Sequence, residues 1–184
     1  MSLTIAIATA EFAVMSGDYR RVNVGNESEF YDDTPKAFHI TDHVLIGITG
    51  DLRMSIELRT SLNVNKNAKI NAVVRVLEKA LATAPTDAYC SIILAGKDNK
   101  GRMKFAQLSH ETNFKARFQT IKPGEIKWLY AYSFVEPGEL IEREYEELNE
   151  VTCASVSALA RKVNEEVAET DARVSRKCDV IYIT

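Results

Sequence analysis

The sequence predicts an α+β fold in which two β-sheets pack face to face and a pair of helices covers each outer face. The predicted elements follow the order strands, two helices, strands, two helices, strand, and each helix carries apolar residues on one side only. With 184 residues, 46% of them hydrophobic, the chain is long enough to bury this core as a single domain spanning residues 1–184. Periodicity alone leaves other α+β arrangements open.

The first fifty residues predict two β-hairpins. Leu3–Thr9 alternates apolar and small residues, and Phe12–Ser16 follows after a two-residue connection. Residues 23–33 are polar and contain Gly25, which predicts a loop or an irregular strand. Lys36–Ile40 and Val44–Thr49 then form the second hairpin. We expect these hairpins to contribute to both sheets.

Two helices are expected next. Asp51 can act as the N-cap of a helix that carries the apolar residues Leu52, Ile56 and Leu58. A second helix is predicted by apolar residues at i, i+3 and i+4 spacing, with Pro85 after its last turn. Its apolar residues are Ile70, Val73, Val74, Leu77 and Leu81.

The second half of the chain repeats this order. Strands are expected at Tyr89–Ala95, Met103–Leu108, Phe114–Ile121 and Ile126–Phe134. Helices follow at about Gly138–Asn149 and Thr152–Thr170, and Cys178–Ile183 closes the chain as a strand. The longer helix has its apolar stripe at Val156, Leu159, Val163 and Val167.

Composition argues against several classes of function. A net charge of −3 with interspersed acids and bases gives no basic surface for nucleic acid or for an anionic membrane. Neither a signal peptide nor about eighteen consecutive apolar residues occurs, so we expect a cytoplasmic protein without a membrane partner. Three widely separated cysteines predict reduced core thiols, and the histidine spacing predicts no metal site. No cofactor is expected.

Four local patterns resemble one known family. They are VMSGDYR at Val14–Arg20, PKAFHI with VLIGITG at Pro35–Gly50, SIILAGKD with GRMKF at Ser91–Phe105, and a final segment, Thr170–Ile183, that combines an Asp, a Ser and an apolar strand. In this order they resemble the β-type subunits of the proteasome family, including the HslV peptidase, within the N-terminal nucleophile hydrolases. The resemblance spans nearly the whole chain and implies a four-layer αββα sandwich.

The resemblance also implies a set of site residues. Counting back from Asp18 without a gap places the nucleophilic hydroxyl residue of the family on Ser2. Lys36 would lower the proton affinity of the Ser2 hydroxyl, Asp18 would hold Lys36 by a charge-assisted hydrogen bond, and the backbone N–H of Gly50 would donate to the oxyanion. The full set implied for catalysis is Ser2, Asp18, Lys36, Gly50, Ser133, Asp171 and Ser175, and the set for substrate binding is Arg21, Ile48 and Thr49.

The expected chemistry is hydrolysis of peptide bonds through an acyl-enzyme on Ser2. The free α-amino group of Ser2 would act as the base, which requires removal of Met1 and no other propeptide. Asp51 departs from the family pattern, which usually has a small residue after the oxyanion glycine. Its negative charge opposes a developing oxyanion unless the side chain turns away to cap its helix. The alternatives are an inactive ring or scaffold subunit and an amidase acting on small amides.

The resemblance implies partners as well. We expect a peptide or unfolded protein as substrate, a homo-oligomeric ring, and an ATP-dependent unfoldase that feeds it.

Overall fold

Two antiparallel sheets, a separate two-stranded ribbon and four α-helices make up the computed structural model, which describes residues 2–23, 25–84, 89–132 and 134–184. The mixed α and β character predicted from the sequence is therefore confirmed. The predicted Pro85 stop lies outside the described residues.

The first sheet has the strand order β10-β1-β2-β11 and every pairing in it is antiparallel. Its strands are β1 (Thr4–Ala8), β2 (Ala13–Asp18), β10 (Lys127–Ala131) and β11 (Cys178–Ile183). The turn between β1 and β2 is closed by the Thr9 hydroxyl, which accepts hydrogen bonds from the backbone N–H groups of Glu11 and Phe12. The predicted N-terminal hairpin and C-terminal strand are confirmed.

The second sheet runs β5-β6-β7-β8-β9 as a continuous antiparallel meander. Its strands are β5 (Ala37–Thr41), β6 (Val44–Gly50), β7 (Cys90–Lys97), β8 (Met103–Ser109) and β9 (Arg117–Thr120). A short 3-10 turn, His110–Thr112, separates β8 from β9. It shortens the strand predicted from Phe114, because Asn113 and Phe114 both adopt positive φ angles that no strand accommodates.

Of the two alternatives predicted for residues 23–33, a loop or an irregular strand, the structure shows the irregular strand. β3 (Arg20–Asn23) and β4 (Asn26–Asp32) pair as an antiparallel ribbon with an irregularity after Val22. Paired arginine and aromatic side chains stabilise the ribbon: the Arg20 guanidinium lies 3.8 Å from the centroid of the Phe30 ring and pairs with Asp32 at 2.8 Å. Polar composition alone did not reveal these cross-strand contacts.

The four helices are α1 (Leu52–Ser61), α2 (Ile70–Leu81), α3 (Gly138–Glu146) and α4 (Cys153–Thr170). In α2 the five predicted apolar residues are the buried ones, and in α4 the predicted stripe is buried as expected. Thr152 caps α4 through a capping box with Ser155. The predicted helix with Leu52, Ile56 and Leu58 is α1, in which Met54 and Leu58 form the buried side and Ile56 is 50% exposed.

Three apolar clusters hold these elements together. One lies between α1, α2 and the second sheet, a second lies between the two sheets, and a third lies between the first sheet and helices α3 and α4. Each sheet therefore buries both faces, which explains the nearly continuous apolar runs of β1 and β6. None of the described helices is long and apolar enough to cross a membrane. Cys90, Cys153 and Cys178 are free thiols, and only Cys90 is fully buried.

Candidate functional site

Asp18 ends β2 and organises the candidate site. Its side chain is fully buried, and its carboxylate accepts hydrogen bonds from the backbone N–H groups of Leu3 (3.3 Å), Arg20 (3.2 Å) and Ser175 (3.1 Å). The backbone N–H of Asp18 also donates to the Leu3 carbonyl at 3.1 Å. Asp18 thus holds both backbone polar groups of the residue that follows Ser2.

The charge state of Asp18 follows from opposing effects. Burial raises the pKa of its carboxyl from 3.8 to about 6, against the lowering effects of the Lys36 charge and of the three backbone N–H donors. A pKa near 6 leaves this carboxylate mostly ionised at neutral pH. A buried anion is therefore present next to the chain segment that carries Ser2.

Lys36 supplies the opposing charge. It lies just before β5 and is 6% exposed, and its carbonyl accepts a hydrogen bond from the Ile48 N–H at 3.0 Å. Burial lowers the pKa of the Lys36 ammonium, while the negative charge of Asp18 raises it. Within the described residues the hydrogen bonds of Asp18 go to backbone N–H groups, so the hydrogen bond expected between Asp18 and Lys36 stays a prediction.

Gly17 makes the approach of these two residues possible. A Cβ atom at this position would lie 2.7 Å from the Ala37 nitrogen and 3.1 Å from the Lys36 carbonyl carbon. Any side chain there would push β5 away from β2. The glycine before Asp18 therefore brings the end of one sheet against the start of the other.

Ser2 lies just before β1 and is 1% exposed. Side chains alternate along an extended chain, so Ser2 shares a face with Thr4. Thr4 faces the second sheet, because a Cβ atom at Gly47 would lie 3.0 Å from the Thr4 Cβ. Ser2 is thereby directed toward the second sheet.

Gly50 has a backbone conformation that only glycine adopts readily. Its φ angle is +111°, and a Cβ atom would lie 2.2 Å from the Tyr89 carbonyl oxygen. The next residue, Asp51, donates its N–H to that same oxygen at 2.7 Å. The Asp51 carboxylate accepts from the N–H groups of Arg53 (2.7 Å) and Met54 (3.3 Å), so the predicted helix cap is confirmed and this charge is directed to α1.

The remaining residues implied for catalysis are placed differently. Ser175 reaches Asp18 through its backbone N–H, while its hydroxyl accepts from the Lys177 N–H at 3.0 Å. Asp171 caps the end of α4, with one oxygen accepting from the Arg173 N–H at 2.9 Å and the other buried without a hydrogen-bond partner among the described residues. Ser133 lies outside the described residues.

Of the three residues implied for substrate binding, Arg21 is the one linked to the charges of the site. It forms two hydrogen bonds to Asp33, at 2.8 and 2.9 Å, and its charge contributes to the lowered pKa of Lys36. Ile48 is buried in the cluster between the second sheet and α1 and α2. The Thr49 hydroxyl lies 3.4 Å from the Ser91 carbonyl oxygen. Their roles in substrate binding stay predictions.

Two residues near the site were not singled out from the sequence. Arg59 on α1 donates to the Pro35 carbonyl at 3.3 Å, and its charge also lowers the pKa of Lys36. Asn164 lies on the apolar stripe of α4 and donates to the Ser175 carbonyl at 2.8 Å. The sequence could have pointed to Asn164, because it is a polar residue among the apolar residues on the buried side of α4. Among the described residues, no group of three or more His, Cys, Asp or Glu is arranged to hold a metal ion.

The fold is similar to that of proteasome-related proteins. The structure of eukaryotic HslV from Trypanosoma brucei superposes with a TM-score of 0.66 and 18% identity, covering 98% of both chains. Anbu, described as an ancestral β-subunit, from Yersinia bercovieri gives a TM-score of 0.73 with 13% identity, covering 98% of this chain and 80% of the other. The Anbu complex from Pseudomonas aeruginosa, described as a helical assembly, gives 0.71 with 13% identity, covering 98% and 80%.

At the level of sequence, no family model and no curated protein matches the chain. At these identities the structural likeness shows the fold, a proteasome-like arrangement of strands and helices.

Proposed function

We propose that this chain is a serine-type N-terminal nucleophile hydrolase that cleaves peptide bonds through Ser2. The observation that carries the proposal is the buried pair of opposite charges, Asp18 and Lys36, with Asp18 bound to both backbone groups of Leu3. The likeness in fold to HslV and Anbu supports the same reading. We further propose that the three apolar clusters correspond to a four-layer αββα sandwich in one domain.

In the proposed reaction, the Ser2 hydroxyl attacks the carbonyl carbon of the scissile peptide bond. The proton of the hydroxyl passes to the free α-amino group of Ser2, and the positive charge of Lys36 favours the attacking alkoxide. The oxyanion accepts a hydrogen bond from the Gly50 N–H. Collapse breaks the C–N bond as the α-ammonium group returns its proton to the departing amine. The α-amino group then takes a proton from a water molecule that attacks the ester on Ser2, and it passes this proton to the Ser2 oxygen as the acid product leaves.

Three measurements test this proposal. Intact mass of the natively expressed protein should show loss of Met1, and the processed protein should hydrolyse fluorogenic peptides and bind a β-lactone covalently at residue 2. Ser2→Ala should abolish both activities. Ser16→Ala is the matched control, because Ser16 is also fully buried in the first sheet and its hydroxyl has no hydrogen-bond partner among the described residues. Fully retained Met1 together with absent hydrolysis would contradict the proposal.

A second candidate is a non-catalytic subunit that serves as a scaffold. It is favoured by the burial of Ser2, since at 1% exposure the hydroxyl offers no surface to a substrate, and its nitrogen is an amide while Met1 is attached. This candidate predicts an assembly that Ser2→Ala leaves unchanged, and covalent labelling at residue 2 would exclude it. An amidase for small amides would use the same nucleophile, and only a comparison of peptide and small-amide substrates separates the two.

We also propose that the chain assembles with copies of itself in the cytoplasm. Large apolar side chains that remain exposed, such as Phe134 (65%) and Tyr182 (56%), provide surface for such contacts. The resemblance in sequence favours a closed ring fed by an ATP-dependent unfoldase, whereas the neighbour from Pseudomonas aeruginosa is described as a helical assembly. Light scattering and negative-stain electron microscopy would distinguish a ring, an open helix and a monomer.

A further inference from the structure

Asn164 is a polar residue in an apolar surface. It is fully buried, and the other five buried residues of α4 are Val156, Leu159, Ala160, Val163 and Val167. Its side-chain oxygen has no hydrogen-bond partner among the described residues. A buried amide with one group unsatisfied destabilises a fold relative to an aliphatic residue of similar size. Its presence therefore calls for a reason other than packing.

Within the described part of the chain, the side-chain amide of Asn164 makes one hydrogen bond, and its acceptor Ser175 is also bonded to Asp18. Its nitrogen donates to the Ser175 carbonyl at 2.8 Å, and this acceptor fixes which end of the amide faces the loop. The backbone N–H of Ser175 donates to Asp18 at 3.1 Å, and Asp18 accepts from the Leu3 N–H at 3.3 Å. The chain of bonds thus joins α4 to the residue after Ser2.

We propose that Asn164 is a positioning residue that holds the Ser175 N–H on the Asp18 carboxylate. The N–H and the carbonyl of Ser175 flank the same Cα atom, so a donor that fixes the carbonyl also restricts the direction of the N–H. The other two donors to Asp18 are the N–H of Leu3, just before β1, and the N–H of Arg20, two residues after Asp18, and Asn164 is not bonded to either residue. Asn164 controls the third donor.

This role has a consequence that a purely structural role lacks. Removal of the Asn164 amide frees the Ser175 N–H to turn away, and a carboxylate that loses a donor becomes a weaker acid. The pKa of Asp18 then rises above about 6, its value with all three donors in place. Among the described residues, Lys36, Arg20 and Cys178 are ionisable groups that interact electrostatically with Asp18, and all three are retained in the variants below.

The test is a titration of Asp18 followed by carbon-13 NMR of labelled carboxyl groups in the full chain. Asn164→Leu removes the donor at similar side-chain volume. Asn164→Ser gives a smaller side chain, and it also removes the donor to Ser175, because a serine hydroxyl in a helix bonds to a carbonyl of its own helix. Val156→Ala is the matched control, since it shortens a buried side chain on the same stripe two turns away. We expect a higher titration midpoint for Asp18 in both Asn164 variants and an unchanged midpoint in Val156→Ala.

The catalytic effect rests on the proposed function and is measured separately. If the chain is a peptidase, Asn164→Leu should lower kcat on the order of tenfold with little change in KM, because it misplaces the site without removing a substrate contact. An inactive wild type would overturn the proposed function and leave the titration as the test of Asn164. An Asp18 midpoint equal in wild type and variants would overturn the role of Asn164. Failure of both variants to fold while Val156→Ala folds would also overturn it, in favour of a role in stability alone.

Discussion

Gly50→Ala provides a sharp test of the strand end that carries the proposed oxyanion donor. The added methyl group would be placed at a φ angle of +111° and 2.2 Å from the Tyr89 carbonyl oxygen. That oxygen belongs to the backbone and accepts the hydrogen bond from the Asp51 N–H at 2.7 Å, so it cannot rotate out of the way. Either β6 or the start of β7 must move.

The magnitude follows from a matched glycine. Gly101 also has a positive φ angle, +75°, but a Cβ atom there would have no heavy atom within 4 Å. Gly101→Ala should therefore cost only the conformational term, about 1–2 kcal/mol. Gly50→Ala adds steric overlap and the loss of a backbone hydrogen bond, and we expect about 3–5 kcal/mol in total.

Urea unfolding of the two variants measures this difference directly. Gly50→Ala should also reduce peptide hydrolysis far more than Gly101→Ala, because the Gly50 N–H moves with the strand end. Equal destabilisation by the two substitutions would refute the argument that the Tyr89 carbonyl requires glycine at position 50.

Three further predictions concern Asp18, Asp51 and Gly17. Burial raises the pKa of Asp18 from 3.8 to about 6, so the folded protein binds this proton more tightly than the unfolded chain does. The free energy of unfolding of the wild type should therefore decrease as the pH is raised from about 4 to about 6. Asp18→Asn, which cannot ionise, should lack this fall in urea unfolding followed across that range. Asp51→Ala should destabilise the protein by about 1 kcal/mol through loss of the cap of α1, whereas Asp51→Asn should retain most of the stability in the same assay. Gly17→Ala should destabilise the protein by about 1–3 kcal/mol and lower activity, because its methyl group meets the Ala37 backbone at 2.7 Å; unchanged stability and hydrolysis would contradict this.

Much of the fold could be predicted because its elements have strong local signals. The apolar spacing of α2 identified all five of its buried residues, and the alternation of β1 and β2 identified the first hairpin. For β4 the sequence left a loop and an irregular strand open, and the pairing with β3 was not predicted. The ribbon is held by arginine and aromatic side chains that pair across strands, such as Arg21 at 4.3 Å from the Tyr31 ring centroid. These contacts join residues of two different strands, so the sequence of either strand alone shows no periodicity that predicts them.

In the candidate site, too, some residues could be identified from the sequence and others only from the structure. Asp18, Lys36 and Gly50 were identified through a resemblance in short motifs. The structure brings the residue before Asp18 against the backbone of Lys36, where the two sheets meet, and it places Gly50 at the end of β6. Gly17 escaped notice because its requirement arises from a backbone in the other sheet. Ser175 was implied for catalysis by the resemblance, and its contact with Asp18 is made by a backbone group that every residue type except proline possesses.

The buried charges bear on the choice between an enzyme and a scaffold. Asp18 is fully buried and Lys36 is 6% exposed, and burial shifts the pKa of each toward its neutral form. Apolar residues of similar volume would serve a scaffold at least as well, because desolvation of two charges opposes folding. The same shifts are useful to a site that moves a proton near neutral pH. The Asp18 and Lys36 pair therefore favours the hydrolase, and it predicts that Lys36→Met retains the fold and the assembly while peptide hydrolysis is lost. Retention of hydrolysis in Lys36→Met would instead assign the pair a structural role.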